Sequence, residues 1–152
     1  MSLLFGDDER VAKWAARNLG LCRMGAFNAG FVRPFVAVGV TRDKELIGAA
    51  IFNNYDGSDV SLTVVGRGVM FRGVFRALAF YAFDQLMCER VSATVRVENV
   101  RMLNIAERLG FKREGLIRKK YGDADAVILG LLKEECKKWI WHNERSIRAN
   151  AS

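Results

Sequence analysis

The hydrophobic period changes in mid-chain, and that change constrains the fold more than any other feature. Three strand-like runs, Phe35–Thr41, Leu46–Asn53 and Val60–Val65, are separated only by Arg42-Asp43-Lys44 and by a turn containing Asp56-Gly57-Ser58-Asp59. Short polar connections of this kind predict consecutive antiparallel strands. From Arg72 to Met87 the period becomes helical, with Phe75, Leu78, Ala79, Ala82, Phe83 and Leu86 recurring along one face. Arg90–Val97 alternates again as a strand. Val100–Leu109 returns to helical spacing through Met102, Ile105, Ala106 and Leu109, and Gly110 is placed to stop it. Phe111–Arg118 and Ala126–Leu132 read as a last strand pair around Tyr121-Gly122-Asp123, and residues 133–148 as a closing helix carrying Trp139, Ile140 and Trp141. Ahead of the meander, residues 8–19 place Val11, Trp14, Ala15 and Leu19 on one helix face, with Asp7 or Asp8 as cap and Gly20 as stop. Residues 21–34 read as irregular. A meander followed by alternating helices and strands predicts an α/β protein: a mixed sheet with helices on both faces. Its expected core includes Phe75, Leu78, Phe83, Leu86, Val95, Leu103, Leu109 and Phe111.

With one proline, Pro34, and no Ser/Gly-rich tract, nothing in the 152 residues reads as a linker. The expected organisation is a single domain over residues 1–135, followed by a C-terminal helix or tail over 136–152. No apolar run approaches the roughly 20 residues of a membrane span. The start, Met-Ser-Leu-Leu-Phe-Gly-Asp-Asp, lacks the basic region of a secretion signal, so a cytoplasmic protein is expected. One histidine, His142, and three scattered cysteines, Cys22, Cys88 and Cys136, build neither a zinc site nor a disulfide frame. No metal is expected, and the thiols read as buried or idle in a reducing compartment. The net charge of +7 is concentrated: residues 67–118 hold ten Lys/Arg against five Asp/Glu. A field of that sign attracts phosphates, of a cofactor or of a nucleic acid.

The element order, together with Arg90-Val91-Ser92-Ala93-Thr94-Val95, then Glu98-Asn99, then Glu107-Arg108-Leu109-Gly110-Phe111-Lys112-Arg113-Glu114-Gly115, resembles the GNAT superfamily of acyl-CoA-dependent N-acyltransferases. The likeness covers roughly residues 35–135. The helix Phe75-Arg76-Ala77-Leu78 through Tyr81-Ala82-Phe83 and Leu86 is most similar to the ribosomal-protein alanine N-acetyltransferase branch, and the chain also resembles short bacteriophage and prophage GNAT proteins. The resemblance implies a sheet that splays between the strand around Leu62–Val65 and the strand Arg90–Val97, with acetyl-CoA as cofactor. Its pantetheine arm would pair with the backbone at Val64 and Val65, and its pyrophosphate would lie on N–H groups at the start of the central helix.

Such a loop carries small residues so that the backbone can approach the phosphates. Gly66-Arg67-Gly68-Val69-Met70-Phe71 instead puts Phe71 at the small position, and the shifted register Arg72-Gly73-Val74-Phe75-Arg76-Ala77 again has a phenylalanine. Gly68 and the side chains of Arg67 and Arg72 remain as phosphate ligands, and the degenerate loop predicts weak acetyl-CoA binding. Asn99 falls where the family carries an asparagine after the splayed strand. The family's thiol-end serine and tyrosine are replaced by Met102 and Ala106, which leaves Tyr121, Tyr55 and Asn104 as substitutes. Glu98, at the end of the splayed strand, is the candidate general base. The short helical part before the first long strand implies an open acceptor site, suited to a protein N-terminus, a lysine side chain or a nucleobase.

Three functional readings follow. One is acetyl transfer from acetyl-CoA to an exposed amine of a macromolecule, with activity weakened or lost through the loop. Another is a non-catalytic phage structural or interaction protein, partnered or oligomerised through the Trp139/Trp141 helix. The last is a nucleic-acid binder or nucleobase-modifying enzyme that uses Arg67, Arg72, Arg76 and Arg101 with Phe71 and Phe75.

Overall fold

The computed structural model describes residues 1–19 and 31–136. Seven strands form one sheet: β1 (Ser2–Leu4), β2 (Phe35–Arg42), β3 (Glu45–Asn53), β4 (Asp59–Val65), β5 (Arg90–Arg96), β6 (Lys112–Ile117) and β7 (Ala126–Leu132). Their order is β1-β2-β3-β4-β5-β7-β6, and every neighbouring pair is antiparallel except the parallel β4 and β5. The β2–β3 hairpin closes on Asp43 and Lys44, both at positive φ (51° and 67°). That conformation matches the turn to the twist of the strands it joins.

Among the described residues three α-helices cover the sheet: α1 (Asp8–Leu19), α2 (Arg72–Ala79) and α3 (Val100–Leu109). Alternation along the strands sends side chains to opposite faces, and each face has its own core. On one, Val11, Ala12 and Ala15 of α1 pack on Ala37, Ala49, Ile51 and Val65. The small residues on both sides bring this helix close to the strands. On the other face α2 and α3 cover Val38, Ala50, Phe52, Val60, Val91, Val95 and Leu129. Gly110 ends α3 in the left-handed conformation (φ 113°), its N–H bonded back to Ala106 and Glu107.

The mixed sheet with helices on both faces is the expected architecture. Leu78, Phe83, Val95, Leu103, Leu109 and Phe111 are buried as expected, whereas Phe75 and Leu86 are only partly so. The long central helix departs from expectation. It is α-helical only to Ala79 and continues as a π-helical turn, Phe80–Gln85, in which Leu86 N–H donates to Tyr81 O at 2.8 Å. Leu86, just past this turn, packs against the larger core at its edge and is only partly buried. Strand β1 was not legible, because three residues carry no period. The closing helix starts differently too: Lys133–Glu135 is a single 3-10 turn. The remainder of that expected helix, with Trp139 and Trp141, lies outside the described residues, as do Gly20 and Cys22. Cys136 is buried in the larger core. Among the described residues no helix is long and apolar enough to cross a membrane, and no cluster of His, Cys, Asp and Glu could hold a metal ion.

Candidate active site

The central feature is a parting of two parallel strands. β4 and β5 pair from Asp59 and Arg90 to Leu62 and Ala93, and no further. Beyond that point Thr63–Val65 stay with β3, opposite Ile51, Ala50 and Ala49. Thr94–Arg96 stay with β7, opposite Ile128, Val127 and Ala126. Each strand is held by its outer antiparallel partner, so the two inner edges face a wedge with no strand between them. Backbone N–H and C=O groups there are available to an extended ligand.

Two clefts meet at the wedge. At its mouth, Arg17, Asn18, Val64, Val65, Arg96 and Asn99 line a slot of about 540 Å³. On the α1 face, the hydroxyls of Ser61, Thr63, Ser92 and Thr94 line a cleft of about 230 Å³, walled by Phe31, Val32, Asn53, Asn54 and Tyr121. Neither cleft is lined by a carboxylate among the described residues.

Helix α2 starts beside the wedge. The approach runs through Gly66 (φ 85°) and a 3-10 turn, Arg67–Val69, to Phe71, whose backbone is extended. Three glycines allow this segment to lie on β3. A Cβ at Gly66 would sit 2.6 Å from Ile47 O, one at Gly68 2.7 Å from Ile47 Cγ1, and one at Gly48 2.9 Å from Val69 N. Gly68 is therefore turned toward β3 and buried. Gly73, in the first turn of α2, has open space where a Cβ would be. The first N–H groups of a helix have no intrahelical partner, and they carry the positive end of its dipole. Phe71 is exposed at this end, and Arg67 and Arg72 stand exposed beside it.

The other candidate residues divide. Asn99 caps α3, its Oδ1 accepting from Met102 N–H at 3.2 Å, and lines the slot. Tyr121 reaches the cleft on the α1 face from the β6–β7 loop. Glu98 is exposed on the turn before Asn99 and lines neither cleft; Asn104 is exposed on α3. The Tyr55 hydroxyl donates to Leu86 O at 2.7 Å.

A polar chain runs outward from Ser92 in the cleft. The Ser92 hydroxyl lies 2.9 Å from Asp59 Oδ1 and accepts from Arg90 Nε at 3.0 Å. Arg90 then grips Glu114 with two N–H donors, at 2.6 and 3.2 Å. Glu114 reaches it across β7 because residue 130 is glycine, where a Cβ would lie 2.6 Å from the carboxylate. The hydrogen bond from Arg90 holds the Glu114 carboxyl below its usual range. On the opposite side of the sheet, burial pushes the Cys88 thiol upward, with the Asp59 and Asp56 charges adding to it.

Sequence reasoning missed Ser61, Thr63, Ser92, Thr94 and Arg96. The signal was present: in β4 and β5, polar residues occupy alternate positions, where a sheet covered on both faces needs apolar ones.

A mixed sheet opened between its two parallel strands, with a helix N-terminus beside the opening, is consistent with the GNAT fold. The family model described as the acetyltransferase (GNAT) domain matches residues 5–112, and the chain belongs to that family. Among solved structures, one from T. thermophilus assigned as an acetyltransferase is 26% identical, with a TM-score of 0.59, covering 68% of this chain. The alignment spans 62% of that protein's length. A chimera of the spermidine N-acetyltransferase SpeG from Vibrio cholerae and hSSAT shares the fold over 88% of this chain and 98% of its own, at 16% identity and a TM-score of 0.66. A dodecameric spermidine N-acetyltransferase from Vibrio cholerae shares it at 18% identity and a TM-score of 0.57, over 66% of each chain. No curated protein sequence matches the chain.

Proposed function

We propose that this protein transfers an acetyl group from acetyl-CoA to an exposed amine of a macromolecule, a protein N-terminus or a lysine side chain. The parting of β4 and β5 after Leu62 and Ala93 carries the reading. Its free backbone edges suit the amides of a pantetheine arm, with Val64 and Val65 as their partners. The open space at Gly73 and the basic side chains of Arg67 and Arg72 suit a pyrophosphate at the start of α2. Bound acetyl-CoA supplies an activated acyl carbon, which an amine attacks with loss of the thiol.

The residues around it position and exchange protons. Of the adjacent residues Val64 and Val65, the one whose backbone N–H faces away from β3 would orient the acyl oxygen. Tyr121 holds a proton at its phenol for the departing thiolate, and Asn99 shapes the mouth of the slot. Glu98, exposed on the turn after β5 and lining neither cleft, would take the amine's proton through intervening water.

The acceptor class follows from the cleft. At about 230 Å³ it is smaller than the roughly 300–1,000 Å³ of sites that enclose a drug-sized ligand, which suits one inserted residue or side chain. Among the described residues Lys120 lines it and no carboxylate does. Asp59, the carboxylate bonded to Ser92, is already paired with Arg90. A polycation such as spermidine, acetylated by the structurally similar enzymes, therefore finds no unpaired carboxylate lining the cleft among the described residues. The test is mass spectrometry after incubating the protein with acetyl-CoA and either free-amine peptides or spermidine. Acetylated peptide with spermidine unchanged is the expected result. Preferential acetylation of spermidine, or of neither, would overturn the reading.

A further inference from the structure

Arg96 stands at the boundary of both clefts. It is the last residue of β5 and lines the wedge slot, while the Tyr121 ring it touches lines the acceptor cleft. Its guanidinium carbon lies 4.6 Å from the centre of that ring. Both terminal nitrogens reach Asp123 Oδ1 at 3.4 Å. A guanidinium stacked on an aromatic face and edge-bound to a carboxylate uses both recognition modes of arginine. Arg96 has five N–H donors, so others remain for a ligand in the wedge.

The loop it holds is shaped for one arrangement. Lys119 and Gly122 both have positive φ (55° and 81°). Within the loop, Tyr121 N–H donates to Ala124 O at 3.1 Å and Gly122 N–H to Lys119 O at 3.0 Å. Asp125 fastens the base, its carboxylate accepting from Lys119 N–H at 2.7 Å and its carbonyl from Val97 N–H at 3.1 Å. These bonds fix the loop's shape and its foot on β5. The stack on Arg96 and the Asp123 pair place its tip across the acceptor cleft.

We propose that Arg96 is a positioning residue that sets Tyr121 in the acceptor cleft from within the cofactor wedge, so that the two clefts share one side chain. The proposal rests on the acetyl-transfer reading for its catalytic consequence but not for its structural one. A ligand in the wedge that hydrogen-bonds the remaining donors of Arg96 restrains the guanidinium, and with it the Tyr121 loop. Removing the guanidinium releases the loop even when nothing is bound.

The test compares wild type with Arg96→Met, Arg96→Lys and Asp123→Asn by amide hydrogen exchange at Tyr121 and Gly122, with and without coenzyme A, and by steady-state kinetics. Arg96→Met is expected to speed exchange at both amides in the free protein. It should lower kcat/KM for the acceptor on the order of 100-fold, the scale of a misplaced catalytic group. Lysine, which keeps the charge but not the planar stack, should restore only part of either effect. Asp123→Asn should speed exchange while leaving coenzyme A affinity at the wild-type value. In wild type, saturating coenzyme A should slow exchange at these amides; in Arg96→Met it should not. Wild-type exchange in free Arg96→Met would overturn the positioning role, and an equal response of both proteins to coenzyme A would overturn the coupling. A wild type that transfers no acetyl group would refute the function proposed above, while the exchange in free protein would still decide the role of Arg96.

Discussion

At the scale of single residues, Leu109 shows how a family signature doubles as a packing requirement. It is 6% exposed at the end of α3, next to the left-handed Gly110 that turns the chain back into β6. Leu109→Ala should destabilise the fold by about 2–5 kcal/mol in urea titration, the cost of a core truncation. Glu114 predicts a pH dependence. Its carboxyl is held low by the Arg90 hydrogen bond, so its stabilising contribution is complete above the unfolded-state value of about 4.3 and is lost as pH falls through the lower folded value. Replacing it by Gln should lower the urea midpoint at neutral pH and flatten the acid limb, so that variant and wild type converge in strong acid. Parallel curves at all pH values would show that the carboxylate contributes no charge-linked stability. Cys88 is buried, and its thiol is held in the neutral form by that burial. In a Cys22→Ser background, Cys88 should react with a thiol reagent only as fast as the protein unfolds.

At the scale of elements, the approach to α2 is built on backbone contact between chain segments rather than on side chains. Gly66, Gly68 and Gly48 close against one another around Ile47, and this sets where the helix N-terminus lies relative to β4. Gly66→Ala adds a Cβ at 2.6 Å from Ile47 O and a side chain at a φ of 85°. It should cost about 1–3 kcal/mol in thermal or urea unfolding. The periods of β2 to β5, of α1 and of α3 were legible because each has enough residues to show its spacing, and the stops at Arg42-Asp43-Lys44 and Gly110 are local chemistry. The π-helical turn at Phe80–Gln85 was not legible, since its apolar residues keep an α-helical spacing. The site was legible only in part. Val64, Val65 and Asn99 come from the family pattern, and all three line the slot. The alternation of polar residues in β4 and β5 marks Arg96 and the cleft hydroxyls as one polar face, but that this face becomes a cleft depends on which strands become neighbours, which no local pattern states. Glu98 and Asn104 are near the wedge in sequence, but the turn and the helix face that carry them are exposed.

At the scale of the whole molecule, two outer antiparallel partners hold two parallel strands apart, and the chain carries a net charge of +7, a sign that attracts phosphates. In the proposed function, acetyl-CoA occupies this opening with its pyrophosphate at the start of α2. The degenerate loop makes weak binding the expectation, with a Kd nearer about 1 mM than 1 μM. Phe71→Gly should tighten it and Arg67→Ala should weaken it. The most direct test uses Gly73, where a side chain meets nothing. Gly73→Asp places a negative charge at a helix N-terminus, which favours the helix but repels a phosphate bound there. Calorimetric titration with acetyl-CoA should give comparable affinities for wild type and Gly73→Ala. For Gly73→Asp it should give a loss of at least about tenfold, or about 1.4 kcal/mol, with the melting temperature unchanged or raised. Equal binding by Gly73→Asp and wild type, or no binding by folded wild type at millimolar acetyl-CoA, would contradict the account.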